Sequence, residues 1–174
     1  RYIGCSNFQT WQVCEAIWTS KTLRSEPFVS VQPHYSLLER TIERELLPFC
    51  ERYKIGILPY FPLASGALAG KYQQNHAHTG EVRPPNSGQI TSAQIRGRFL
   101  TEANLSMIGK LEKFTQERGH SMTELAFGWL LSKPQISSVI AGATTPEQVA
   151  TNARCVDWDL TQDDLDDLNS ILSG

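Results

Sequence analysis

The sequence predicts an α/β domain built on a parallel sheet. Three observations carry that expectation. Strand-like and helix-like apolar patterns alternate along the chain. The third strand-like run, residues 55–60, is nearly continuous in apolar residues, as befits a strand buried on both faces. The composition is globular: 174 residues, 40% hydrophobic and 20% charged, with four Trp, five Tyr and seven Phe to bury.

The elements follow in order. Residues 1–5 read as a short strand ending at Ser6 and Asn7. Residues 8–23 carry a helical stripe of Trp11, Cys14, Ile17 and Trp18. Residues 28–32 form a second strand. Residues 41–54 read as a helix through Ile42, Leu46, Phe49 and Tyr53, with Pro48 expected to kink it. The third strand follows, then a long segment, residues 62–100, that starts small and Gly-rich and turns polar; loops of that length are usually functional. Residues 102–118 form a helix. Ser121 and Glu124 have capping-box spacing for the next, which runs to about residue 132. Residues 136–141 make a fourth strand. Thr145, Pro146 and Gln148 start another helix, and Thr161 caps the last, over residues 162–172. An open doubly wound sheet and part of a (β/α)8 barrel both fit. Four strands would be half of such a barrel.

Charge and motifs narrow the function. Sixteen Lys and Arg against eighteen Asp and Glu leave a net charge of −2, against a dedicated nucleic-acid binder. No apolar run reaches the roughly 18 residues of a membrane span, and no leader marks secretion. Four scattered cysteines (Cys5, Cys14, Cys50, Cys155) form no CxxC pair and point to a reducing, cytoplasmic setting. His76 and His78 have no third ligand near them, so no metal site is expected. His34 and His120 have no visible partner. The acidic run Asp163, Asp164, Asp166 and Asp167 suits a helix start.

Ligands in parallel α/β folds meet the carboxyl ends of strands. At those ends stand Ser6 and Asn7, Gln32, Tyr60, and Gly142 to Thr145. Ser6, Asn7 and Gln32 offer the donors and acceptors a carboxamide demands. Tyr60 offers a flat ring. The small residues 63–70 let backbone amides approach a pyrophosphate, with Lys71 adding charge. The helix from Pro146 presents its N-terminus to a phosphate. Structural readings stand beside these. Asn7 would cap the helix that follows it, Gln148 would close a capping box with Thr145, Tyr60 would be core, and Lys71 a solvated charge.

Four blocks sharpen the choice: GCSNF (4–8), VQPHYSLLER (31–40), GILPYFPLASGALAGKY (56–72) and SSVIAGATTPEQVATN (137–152). Together they resemble the C-terminal half of an aldo-keto reductase, in the subgroup that also holds potassium channel β subunits and bacterial general reductases. The resemblance implies strands five to eight of a (β/α)8 TIM barrel, with residues 1–174 one partial domain, and NADPH or NADH as cofactor. It implies that Ser6, Asn7 and Gln32 hold the nicotinamide carboxamide and that Tyr60 stacks on its ring. Pro62, Leu63, Ala64, Ser65 and Gly66 would line the pyrophosphate, with Lys71 nearby. Gly142, Thr144, Gln148 and Asn152 would meet the adenosine end, and Arg98, with Arg96 second, would grip the cofactor from the long segment. Three positions depart from the family pattern. Phe61 stands where many members have Ser, Thr144 where NADPH-specific members have Arg or Lys, and Thr151 where a Glu is common.

The family's catalytic Asp, Tyr, Lys and His come from the first half of the barrel, and their motifs do not occur here. Tyr2, Tyr35 and Tyr53 are not candidates for the general acid. The chain opens with Arg inside a strand, so it is expected to begin mid-domain. The expected activity is reduction of a small carbonyl substrate, with this chain supplying the cofactor-binding half and inactive alone. A non-catalytic, regulatory half-barrel similar to the channel β subunits is the alternative. Open barrel edges would favour self-association.

Overall fold

A computed structural model describes residues 1–69 and 97–173. Three strands, β1 (Ile3–Ser6), β2 (Phe28–Gln32) and β3 (Gly56–Ile57), pair in parallel in sequence order. Helix α1 (Thr10–Leu23) joins the first two. A 3-10 turn (Thr41–Arg44) and α2 (Leu46–Tyr53) join the second pair. A second 3-10 segment (Ala64–Ala69) follows β3. Then come α3 (Glu102–Arg118), α4 (Met122–Leu131), α5 (Pro146–Arg154) and α6 (Gln162–Ser173). The parallel α/β architecture is the one the alternating pattern predicts.

The fourth strand is not a regular one. The segment after α4 meets β3 only at two parallel bridges, Ile57 with Ile136 and Tyr60 with Ile140. Pro59 explains the gap. It has no N–H to donate between those points, so the ladder is interrupted where its carbonyl still accepts from Ile140 N at 3.0 Å. The third strand is likewise shorter than the apolar run. Gly56 sits close to Ser137: an added Cβ would lie 2.4 Å from Ser137 Oγ, so a larger residue would require that hydroxyl to turn away.

Two helices correct the sequence expectation. The predicted helix over residues 41–54 breaks at Glu45, whose φ is −141°. α2 then starts so that Pro48 lies in its first turn, where no N–H partner is needed, and the proline starts a helix rather than kinking one. In α1 the buried side chains are Val13 and Ile17, while Trp11 and Trp18 are 63% and 54% exposed. The apolar stripe therefore splits between core and surface.

The core lies between sheet and helices, with Val31 and Ile57 among Val13, Tyr35, Leu111, Leu125, Trp129 and Leu168. Tyr35 donates its hydroxyl to Glu43 Oε1 at 2.7 Å. Arg40 grips the same carboxylate, Nη2 to Oε2 at 2.8 Å, and reaches Leu172 O in α6 at 3.3 Å. That network fixes the loop leaving β2. Arg118 of α3 ties down α6 by bonds to Asp164 and Asp167 at 2.6 and 2.7 Å. Among the described residues no helix is long and apolar enough to cross a membrane.

Candidate functional site

The site is assembled where the ladders run out. Asn7 follows β1 in the left-handed region at φ 59°, and its N–H reaches Gln32 O at 3.4 Å. It does not cap α1. Gln9 occupies that position, with its N–H donating to Gln12 Oε1 at 2.8 Å. Freed from capping, Asn7 Oδ1 accepts the Tyr60 hydroxyl at 2.8 Å. Ser6 Oγ donates to Gln32 O at 2.8 Å, so the three expected carboxamide residues stand together. Tyr60 is half-buried rather than core.

Two clefts meet at Tyr60. One, of about 620 Å³, runs from Tyr60 past Pro62, Leu63, Ser65 and Gly66 to Gly142, Gln148 and Asn152. The other, of about 710 Å³, is lined by Asn7, His34, Glu39, Arg44, Tyr60 and Arg98 among others. Ser6, Gln32, Ala64 and Thr144 line neither. Ala64 is wholly buried beneath the first cleft's wall.

The backbone of the first cleft is unusual. Ala64, Ser65 and Gly66 all have positive φ, at 45°, 57° and 97°. This run turns the chain sharply beneath small side chains, giving a ligand close access to main-chain atoms. Opposite, Thr145 caps α5 by accepting from Gln148 N at 3.3 Å. The Gln148 side chain does not complete the expected box on Thr145. It accepts instead from Thr144 N at 2.7 Å and Thr144 Oγ1 at 3.0 Å. Asn152 Nδ2 is 3.5 Å from Gly142 O.

Sequence reasoning missed the cluster in the second cleft. His34 stacks on Tyr60, with ring centroids 5.3 Å apart and planes 16° from parallel. Arg98 does not line the first cleft. Its Nη2 donates to Glu39 Oε2 at 3.2 Å and approaches His34 Nδ1 at 3.3 Å. Burial lowers the His34 pKa below the usual 6.5, Arg98 lowers it further, and Glu39 opposes both. Burial pushes the Glu39 carboxyl up, but hydrogen bonds from Thr41 and Arg98 outweigh it and hold the carboxyl below its ordinary value. His120 also has partners, Trp158 stacked at 3.8 Å and Glu124 at 3.4 Å. The signal for His34 was its place two residues after Gln32, but its partners come from distant segments. Lys71, Arg96, His76 and His78 lie outside the described residues.

The aldo/keto reductase family profile matches residues 1–173. The chain belongs to the aldo/keto reductase family. Among its relatives is an uncharacterized oxidoreductase, YrpG, of Bacillus subtilis, 31% identical over 99% of this chain and 49% of that protein. A probable voltage-gated potassium channel subunit beta of Oryza sativa is 32% identical over 90% of the chain and 47% of its own length. An L-glyceraldehyde 3-phosphate reductase of Escherichia coli K12 is 30% identical over 89% of the chain and 44% of its length. The chain thus spans about half the length of the curated relatives it matches. These aldo/keto reductase relatives include proteins named as oxidoreductases and proteins named as channel subunits.

Proposed function

We propose that this chain is the C-terminal half of a (β/α)8 aldo-keto reductase barrel and binds a nicotinamide dinucleotide across its strand ends. The observation that carries the reading is Tyr60, a half-buried ring at a strand end, fixed by Asn7 and flanked by the left-handed turn at Ala64–Gly66 and the α5 N-terminus. The 620 Å³ cleft is large enough for part of such a ligand; its lining is mostly apolar, with Ser65, Thr123, Gln148, Thr151 and Asn152 supplying polar groups. Asn7, Ser6 and Gln32 would hold the carboxamide, Tyr60 the ring, Ser65 and Gly66 the pyrophosphate, and Gln148 and Asn152 the adenosine end. Bound NADPH or NADH would supply a hydride for reduction of an aldehyde or ketone. The residues of this chain bind and orient that ligand. None supplies the family's general acid, so the 174 residues alone do not reduce carbonyls.

Thr144 donates its hydroxyl to Gln148 and carries no charge for a 2′-phosphate, so this position does not select NADPH over NADH. Four free thiols suit the cytoplasm. Among the described residues β1 is paired on one side only, and exposed Trp11, Trp18 and Leu23 lie on the helix that follows it, which favours self-association there. The channel-subunit relatives favour a second reading, a cofactor-binding module without catalysis.

Calorimetric titration of the purified protein with NADPH and NADH tests the proposal. Saturable binding that Tyr60→Ala weakens about five- to thirtyfold is expected, since aromatic stacking and the hydrogen bond that fixes Asn7 are lost (about 1–2 kcal/mol). Equal binding by the variant, or none by the parent, refutes it.

A further inference from the structure

His34 is held more tightly than a loop histidine needs to be. Tyr60 stacks on it, and the rings of Phe61 and Phe99 meet it edge-on, both at 5.6 Å. Its Nδ1 is 3.3 Å from Arg98 Nη2. A guanidinium only donates, so Nδ1 accepts, and the ring is neutral with its proton on Nε2. Nε2 is itself buried and has no partner among the described residues.

We propose that His34 is a positioning residue for the nicotinamide end of the dinucleotide site: its neutral ring fixes the plane of Tyr60 and the guanidinium of Arg98, and protonation releases both. This rests on the dinucleotide reading above. A proton on Nδ1 would point at the Arg98 N–H groups and break the contact. The charged ring would also face a second cation, with Glu39 the compensating carboxylate among the described residues. Among the described residues, the titratable and charged groups facing His34 are Arg98 from residues 97–99, Glu39 from the loop after β2, and the Tyr60 phenol. Arg44 and Glu45 line the same cleft. Burial and Arg98 keep the ring neutral through the ordinary histidine range, so the release belongs on the acid side of it. The site would therefore weaken its hold on the nicotinamide, and only there, as pH falls.

The test compares two ligands that share every group except the nicotinamide ring, NADP⁺ and 2′-phospho-ADP-ribose. Their affinities for the purified protein are measured by calorimetry from about pH 8 to pH 5, and the ratio cancels titration of the shared phosphates. The ratio should fall about tenfold on acidification, the worth of one aromatic contact. In His34→Phe, which keeps a flat ring without a titrating nitrogen, the ratio should be flat with pH while 2′-phospho-ADP-ribose binds as in the parent. A nitrogen NMR titration that finds His34 Nδ1 unprotonated at neutral pH supports the tautomer without any variant. A flat ratio in the parent, or the same fall in His34→Phe, overturns the proposal. A parent protein that binds neither ligand overturns the dinucleotide reading and this proposal with it.

Discussion

Replacing Glu43 with alanine should cost this fold far more than an ordinary surface carboxylate would. Tyr35 is wholly buried, and its hydroxyl donates to Glu43 Oε1 at 2.7 Å. Without that acceptor the phenol is left unsatisfied, at about 1–3 kcal/mol. Arg40 loses bonds at 3.0, 3.1 and 2.8 Å and keeps Leu172 O at 3.3 Å and the face of Trp129 at 6.0 Å. Its side chain is 31% exposed, so water recovers part of the loss, leaving about 1 kcal/mol. The sum is about 2–4 kcal/mol. The control is Glu117, paired with Lys113 at 3.8 Å with side chains 57% and 79% exposed. Glu117→Ala should cost under about 0.5 kcal/mol. The pH dependence follows. Burial raises the Glu43 pKa, but hydrogen bonds from Arg40 and Tyr35 outweigh it, so the folded carboxyl sits below 4.5. Its contribution is present above pH 4.5 and is lost as pH falls through the lower folded value. Urea unfolding of parent, Glu43→Ala, Glu43→Gln and Glu117→Ala gives the comparison. Equal losses in Glu43→Ala and Glu117→Ala would refute the reasoning. So would an acid limb in Glu43→Gln as steep as the parent's.

Three further outcomes are expected. Gly66→Val places a branched side chain at φ 97°, at a cost of about 1–2 kcal/mol or more, and should weaken dinucleotide binding in calorimetry while Gly109→Ala, on α3 with open space around its Cα, does not. Arg118→Ala should flatten the acid limb of stability. Burial raises the Asp164 pKa, but bonds from Arg118 and Thr161 outweigh it, so the contribution is held above pH 3.8 and lost through the lower folded value; urea midpoints across that range check it. Burial pushes the Cys50 thiol up to about 12, with Cys5 adding to the shift, so mass spectrometry should find it unalkylated by iodoacetamide in the native protein and alkylated in urea.

Local signals carried much of the fold and long-range ones did not. Residues 102–118 read as a helix, and the structure places α3 at Glu102–Arg118, with Thr101 capping its start and Gly119 its end. The Ser121–Glu124 box is present for the same reason: its partners are three residues apart. The fourth strand was misread because its regularity depends on the neighbour it pairs with, and that neighbour contains Pro59. The apolar stripe marked α1 as a helix, but spacing alone did not tell which of its residues meet the sheet. At the site, Asn7 was ambiguous in sequence and became clear only through Tyr60, 53 residues away. His34 was invisible because its partners Tyr60 and Arg98 lie 26 and 64 positions on.

The prolines that spoil the strands also make the site. Pro33 and Pro59 follow β2 and β3 at comparable places. Each withholds a donor yet keeps its carbonyl, which accepts from Tyr60 N at 3.1 Å and from Ile140 N at 3.0 Å. Adjacent segments stay tethered while regular pairing stops. The residues just beyond, His34, Tyr60 and Ile140, line up as neighbours across three segments through parallel bridges. A continued ladder would have sent alternate side chains to opposite faces and required more strand. Cut short here, it leaves a row of side chains at the carboxyl ends with both clefts opening beside it, where parallel α/β folds bind their ligands. A non-proline residue at position 59 could extend the β3 ladder toward residues 136–140. It would thereby add regular pairing at the expense of the geometry that presents Tyr60.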